Sequence, residues 1–139
     1  MEQIIIKTIN INKSYSNGQE KLKVLKGFDF SLKKKEIISI MGDSGCGKST
    51  ALNILGTLDK PDSGHLIING EEVDYSNNKK LSKIRNEEIG FVFQFHFLLP
   101  EFTALENALI PTWIKGSSNN SNYAKDLFSD LGLINKINS

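Results

Sequence analysis

The sequence is poor in the residues that mark specialised environments. A single cysteine, Cys46, excludes an internal disulfide and fits a reducing compartment. The 17 basic residues barely outnumber the 16 acidic ones, so the net charge of +1 gives no electrostatic reason to bind polyanions. We therefore expect no nucleic-acid partner.

Long apolar runs are also missing. The longest, residues 89–100, is interrupted by Gln94 and His96 and is too short to span a bilayer. The first residues carry an acid, Glu2, and no small-residue cleavage site of the kind that follows a secretory signal. With 39% hydrophobic residues, the sequence predicts a soluble globular chain with a core to bury.

Apolar patterning predicts a strand-rich first part of the chain. Residues 3–11 and 22–32 are typical of strands separated by a turn-rich segment, 14–20. Residues 36–42 and 89–93 are short continuous apolar runs, the pattern of strands buried on both faces. Residues 64–70 form a further predicted strand that ends at an Asn-Gly pair.

Helical spacing dominates elsewhere. Residues 48–58, 77–88, 104–115 and 123–133 are the predicted helices. Thr103 and Glu106 have the spacing of a capping box, and Pro111 is expected to kink or end the helix that follows.

The segment "GDSGCGKS", Gly42 to Ser49, satisfies the phosphate-binding pattern G-x-x-x-x-G-K-[ST]. Glycines let successive backbone N–H groups converge on one phosphate, and the helix that follows adds its unpaired N–H groups and positive dipole end. Lys48 should reach the β- and γ-phosphates of ATP, Ser49 should ligate Mg²⁺, and Thr50 is the expected donor to the α-phosphate. Cys46 is interpreted as loop filler rather than a redox sensor.

Three stretches indicate a narrower class of protein than the phosphate-binding pattern alone does. They are "VLKGFDFSLKKKEIISIMGDSGCGKST", "LDKPDSG" and "FVFQFHFLLPEFTALEN". In that order they resemble the nucleotide-binding subunits of ABC transporters, over about residues 4–132. The third stretch is most similar to the ATPases that release lipoproteins from the bacterial inner membrane. Macrolide-export and cell-division ATPases of the same branch are the alternatives.

The resemblance implies an α/β P-loop fold of ABC ATPase type. An antiparallel β-subdomain and ATP-binding core would occupy residues 1–94, and a helical subdomain would begin in residues 95–139. It implies that Tyr15 stacks on adenine, although a turn aromatic packed on the sheet is the other interpretation. Gln94 matches the Q-loop glutamine, whose amide oxygen completes the Mg²⁺ shell or holds the attacking water.

The expected site residues follow from the motif and the resemblance together. Lys48 and Gln94 are the catalytic candidates, and Ser49 and Gln94 the metal ligands. The nucleotide-binding candidates are Tyr15, Gly42, Asp43, Ser44, Gly45, Cys46, Gly47, Lys48, Ser49 and Thr50. The implied cofactors are ATP and Mg²⁺.

The resemblance also implies partners: membrane-embedded permease subunits contacting Phe95 to Glu106, and a second ATPase subunit in a homodimer. The expected location is the cytoplasmic face of the inner membrane. Exposed apolar residues there would form a partner surface; we expect this of Phe97 and Phe102, and a core position for Leu99. His96 is interpreted as a polar interface residue rather than a metal ligand.

Two residues depart from the family pattern: Lys35 stands where many relatives have glycine, which indicates a strained or altered turn, and Asp62 replaces a usual threonine. The 139 residues contain no "LSGGQ"-type signature, no later apolar strand ending in Asp-Glu and no later switch histidine. We therefore expect the N-terminal part of a longer ATPase, not hydrolytic by itself. A nucleotide-binding module that does not hydrolyse, and a P-loop kinase or GTPase, are the competing interpretations.

Overall fold

A computed structural model describes residues 3–16, 18, 20–95, 97–117 and 121–139. The chain divides into two compact units, Met1–Arg85 and Asn86–Ser139. His96, and with it the expectation of a polar interface residue there, lies outside the described residues.

The first unit is built on an antiparallel sheet. Its strands are β1 (Ile4–Ser16), β2 (Lys21–Lys33), β3 (Ser63–Ile68) and β4 (Glu71–Glu72), in the order β2-β1-β3-β4. β1 extends further than predicted, because Ser14, Tyr15 and Ser16 pair with residues 21–23 of β2. Tyr15 is therefore a strand residue opposite Leu22, not part of a turn.

Helix α1 (Lys48–Leu55) covers this sheet. The core cluster consists of Ile11 and Leu25 from β1 and β2, with Ala51 and Ile54 from α1, and Phe28 packs against it. Because apolar residues three apart share one face of a helix, "KSTALNIL" presents Ala51 and Ile54 together to the strands. Burial of this face fixes the start of α1, and hence the glycine-rich loop, beside β2.

Two predicted strands are wrong. Residues 36–42 and 89–93 are not in strands, and several of their apolar side chains are exposed: Ile37 is 97% exposed, Met41 87% and Val92 103%. A strand buried on both faces needs backbone partners as well as apolar side chains. Within the described ranges, the sheet contains only β1 to β4, so neither segment has a ladder to join.

Helix α2 (Asn78–Glu87) confirms the predicted helix at 77–88. In the second unit, α3 (Ala104–Ile114) begins with the predicted capping box: the Thr103 hydroxyl accepts from the Glu106 N–H at 3.2 Å, and the Glu106 carboxylate accepts from the Thr103 N–H at 2.8 Å. Pro111 lies inside α3 and does not end it. The helix continues past the proline to Ile114, and the Lys115 N–H donates to the Pro111 carbonyl at 3.2 Å.

Helix α4 (Ser121–Asp130) packs against α3, with Leu109 and Ala124 buried. The predicted end near Gly132 is confirmed: Gly132 has φ 69, and the Leu133 N–H donates to the Phe128 carbonyl at 2.7 Å in a Schellman-type ending. A 3-10 turn follows at Ile134–Lys136. In the described parts of the chain, no helix combines the length and apolar character needed to cross a bilayer.

Candidate nucleotide-binding site

The glycine-rich loop leads directly into α1. Gly42, Gly45 and Gly47 have φ values of 153°, 80° and 101°, a conformation that L side chains rarely adopt. Gly47 is the N-cap of α1, and no side chain caps the helix there. The first N–H groups of α1 therefore have no side-chain acceptor and are available to an anion.

Lys48 folds back over this loop. Its ammonium donates to the carbonyls of Gly42 at 2.9 Å and Asp43 at 2.6 Å, and lies 3.8 Å from the Cys46 sulfur. The loop thus brings a fixed positive charge and the N-terminus of α1 to the same place. Cys46 is exposed.

Two of these glycines have close neighbours, backbone and side chain at Gly47 but only a rotatable side chain at Gly42. A Cβ on Gly47 would lie 2.9 Å from the Val24 side chain and 3.2 Å from the Val24 carbonyl, and one on Gly42 would lie 2.7 Å from the Cys46 sulfur. Gly45 has open space around it. The glycines that the motif demands therefore serve two purposes: backbone conformation throughout, and close approach to β2 at Gly47.

Tyr15 lies beside the start of α1. Its hydroxyl donates to the Asp59 carboxylate at 2.6 Å, and the residue is 42% exposed. The hydrogen bond to Asp59 raises the pKa of Tyr15, as burial also does, while a hydrogen bond with Thr50 lowers it in part. The structure thus places the predicted base-stacking residue next to the first turn of the P-loop helix.

Sequence reasoning missed Lys13 and Asp59, which adjoin Tyr15. The Lys13 ammonium donates to the Asp59 carboxylate at 2.6 Å. Burial raises the pKa of Asp59, but hydrogen bonds from Lys13, Tyr15 and the Lys60 N–H outweigh it and hold that pKa below its ordinary value. The only sequence signal was the spacing of Lys13 and Tyr15, which puts both on one face of a strand.

Gln94 belongs to the second unit, where it is exposed and follows Phe93 in a loop. The apolar residues after it are also exposed, with Phe95 at 64% and Phe97 at 72%. Leu99 is 45% exposed, so its expected core position is wrong. The physical reason is that residues 97–99 form no helix or strand, and packing of α3 on α4 buries Leu109 instead.

Sequence reasoning also missed Asn107, whose side chain organises this loop. Its amide oxygen accepts from the Leu99 N–H at 2.9 Å, and its amide nitrogen donates to the carbonyls of Leu99, Phe102 and Thr103, each at 3.0 Å. The Asn107 side chain in α3 therefore connects Leu99 to Phe102 and Thr103, the residues that directly precede the helix. Among the described residues, no group of three or more His, Cys, Asp and Glu could hold a metal ion.

Comparison with known proteins decides the family. The model of the family described as ABC transporter matches residues 25–139. The chain belongs to the ABC transporter family. Its fold is accordingly that of the N-terminal part of an ABC ATPase cassette, as the sequence predicted.

Curated relatives and solved structures of the ABC family agree. The chain is 51% identical over 133 residues to the lipoprotein-releasing system ATP-binding protein LolD of Cytophaga hutchinsonii, covering 94% of this chain and 59% of that one. LolD of Porphyromonas gingivalis is 52% identical over 132 residues, covering 94% and 58%. This chain thus spans about three-fifths of the length of the curated relatives it matches.

The solved structure of the ATP-binding cassette MJ0796, a dimer in a post-hydrolysis state bound to ADP and Pi, matches with a TM-score of 0.85 and 38% identity. The match covers 96% of this chain and 60% of that one. A second dimeric structure of the same bacterial ABC transporter cassette matches with a TM-score of 0.82 and 41% identity, over 92% and 56%.

Proposed function

We propose that the chain binds ATP through the loop from Gly42 to Thr50, as part of an ABC transport ATPase. The observation that carries this is the position of Lys48, whose ammonium is held at 2.9 Å and 2.6 Å from two loop carbonyls at the N-terminus of α1. To bind a triphosphate, Lys48 exchanges those carbonyl oxygens for phosphate oxygens, which carry more negative charge. The N–H groups at the start of α1 are further hydrogen-bond donors, and because they belong to the backbone no additional side chain has to be desolvated to bind the phosphates.

The loop residues have the properties that this ligand requires. The positive φ values of the glycines allow the loop backbone to curve, and in this proposal the N–H groups of residues 43–47 surround the phosphates. No acidic residue occupies the first turn of α1, so nothing there repels phosphate. Asp43, Ser44 and Cys46 are exposed and, in this proposal, contribute backbone donors. The Cys46 N–H, which donates to the Asp43 carbonyl at 3.3 Å, would exchange that acceptor for a phosphate oxygen.

For Mg²⁺, the proposed ligands are Ser49 and Gln94. Hydroxyl and amide oxygens are hard donors of the kind Mg²⁺ accepts, and phosphates and water would complete its shell. Both residues are exposed. The ion would neutralise charge on the phosphates when bound.

The proposed biological role is to power the release of lipoproteins from the bacterial inner membrane. Support comes from identities of 51% and 52% to proteins named for that system. In this role the chain lies on the cytoplasmic face and contacts permease subunits through Phe95 to Glu106. The exposure of Phe95, Phe97 and Leu98, at 64%, 72% and 58%, supports a protein-binding surface there.

Pairing of two ATPase subunits is part of the same proposal, because both solved neighbours are dimers. For these 139 residues alone we propose binding without useful turnover. The sequence contains no strand after Phe93 that ends in the paired acid from which a general base would come.

Equilibrium binding of Mg-ATP, measured by calorimetry, tests the proposed site. Lys48→Ala removes a charge-assisted donor and should weaken binding about 10- to 100-fold. The matched control is Lys79→Ala, an exposed lysine in the first turn of α2, which should bind as the wild type does. Equal affinity of wild type and Lys48→Ala would overturn the site.

The transport role needs a separate assay on the complete gene product. Co-expressed with its permease subunits in membranes, that product should hydrolyse ATP and release lipoprotein, and both activities should be lost in Lys48→Ala. Hydrolysis that persists in the Lys48→Ala variant, or ATP-dependent activity on another substrate with none on lipoproteins, would contradict the proposed role.

A further inference from the structure

Lys13 is nearly buried in the strand that carries Tyr15. Its side chain is 11% exposed, and its ammonium donates to the Asp59 carboxylate and to the Lys60 carbonyl, each at 2.6 Å. A buried ammonium is costly unless it is paired and hydrogen-bonded, and here both conditions hold. The cluster of Lys13, Asp59 and Tyr15 is therefore a built arrangement with defined partners.

The two oxygens of Asp59 are divided between different donors. Oδ1 accepts from the Lys13 ammonium at 2.6 Å and from the Lys60 N–H at 2.7 Å, whereas Oδ2 accepts from the Tyr15 hydroxyl at 2.6 Å. The Lys13 nitrogen also lies 5.1 Å from the centre of the Tyr15 ring. The phenol is thus held at its hydroxyl by Asp59 and over its ring by Lys13.

The same cluster is tied to the phosphate-binding helix. The Asp59 N–H donates to the Asn53 carbonyl at 3.2 Å, and the Leu58 N–H donates to the same carbonyl at 2.8 Å. Thr50, in the first turn of α1, lies close enough to the Tyr15 hydroxyl to lower its pKa in part. The position of the Tyr15 ring is consequently fixed relative to the glycine-rich loop.

We infer that Lys13 and Asp59 are positioning residues for the nucleotide base, holding the Tyr15 ring at a set place beside the phosphate loop. The inference rests on the proposed function, in which Tyr15 stacks on adenine. With Lys13 over one face of the ring, the opposite face receives the base. A ring already held in its binding orientation loses less conformational freedom when the base stacks, so binding is tighter.

A purely structural role would be to join β1 to the segment after α1. The two roles predict different ligand dependence, because only the positioning role concerns the base. Mg-ATP and Mg-tripolyphosphate share the phosphate contacts, but only ATP carries adenine. The ratio of their affinities therefore reports on the base site alone.

The experiment measures both affinities by calorimetry for the wild type and for Lys13→Met, Asp59→Asn and Tyr15→Phe. Base–aromatic stacking allows losses of about fivefold or more, so partial misplacement of the ring should weaken ATP about 3- to 10-fold. Tripolyphosphate should change less than about twofold, because its contacts are in the loop. Lys7→Met, an exposed lysine of the same strand, is the matched control and should leave both affinities unchanged.

A double substitution makes the test independent of the folding of Lys13→Met. Tyr15→Phe keeps the ring and removes only the hydroxyl, so Asp59→Asn should cause a smaller loss of ATP selectivity in that background than in the wild type. Equal losses for both ligands, or unchanged ATP affinity in Asp59→Asn and Tyr15→Phe, would overturn the inference alone. Failure of the wild type to bind either ligand would overturn the proposed function, and the inference with it.

Discussion

Replacing Gly47 with alanine should destabilise the fold far more than the same change at Gly45. Both glycines are in the phosphate loop and have left-handed φ values, 101° and 80°. An added Cβ meets nothing within 4 Å at Gly45, but at Gly47 it lies 2.9 Å from the Val24 side chain and 3.2 Å from the Val24 carbonyl. The side chain can rotate, whereas the carbonyl belongs to β2 and cannot move without disturbing the sheet.

The magnitude follows from the contributions that the two variants share and do not share. Each alanine suffers about 1–2 kcal/mol of left-handed strain, offset by about 0.5–1 kcal/mol from a less flexible unfolded chain. Overpacking against β2 adds about 1–3 kcal/mol at Gly47 only. Since the shared contributions cancel, Gly47→Ala should be less stable than Gly45→Ala by about 1–3 kcal/mol.

The assay is urea unfolding of both variants without nucleotide, with the free energy of unfolding extrapolated to water. The comparison removes any effect on ATP affinity, because no ligand is present. Equal stability of the two variants would refute the close approach of the loop to β2. It would also refute the packing of α1 that places the loop there.

Three further predictions concern other parts of the fold. Lys35 has a φ of 68°, so Lys35→Gly should raise the free energy of unfolding by up to about 1 kcal/mol. Lys34 has no positive φ, so the control Lys34→Gly should lower it. Thermal unfolding that ranks the two variants in the opposite order would contradict this. Asn107→Asp removes the amide donors that bind three carbonyls and should lower the free energy of unfolding by about 1–3 kcal/mol. Urea unfolding followed by the fluorescence of Trp113 measures this, and an unchanged midpoint would contradict it. Folding lowers the pKa of Asp59 from 3.8, so its stabilising effect is present above that value and is lost as the pH falls through the lower folded pKa. In Asp59→Asn the melting temperature should therefore depend less on pH below about pH 4 than in the wild type. Parallel curves of melting temperature against pH for the two proteins would contradict this.

Local signals were sufficient for part of the structure. The capping box of Thr103 and Glu106 and the helix end at Gly132 depend on residues a few positions apart, so the sequence contains all the partners. The loop from Gly42 to Ser49 is likewise a local motif. A strained or altered turn was expected at Lys35, where many relatives have glycine, and the φ of 68° there is a strained conformation for lysine.

Non-local requirements explain the failures. A continuous apolar run such as residues 36–42 reports that side chains favour burial, but it does not say which strand supplies the hydrogen-bonding partner. The contact between Lys13 and Asp59 joins residues 46 positions apart, which no local pattern reveals. Asn107 ends the stretch "FVFQFHFLLPEFTALEN" that resembles the family, yet only the loop geometry shows its four hydrogen bonds.

The most direct test of phosphate binding uses Cys46, the single and exposed cysteine, which lies in the loop 3.8 Å from the Lys48 ammonium. Its alkylation rate is measured with and without saturating Mg-ATP, in the wild type and in Lys48→Ala. The account predicts that Mg-ATP slows the reaction in the wild type and has little effect in the variant. An unchanged alkylation rate in the wild type at saturating Mg-ATP would contradict nucleotide binding at this loop.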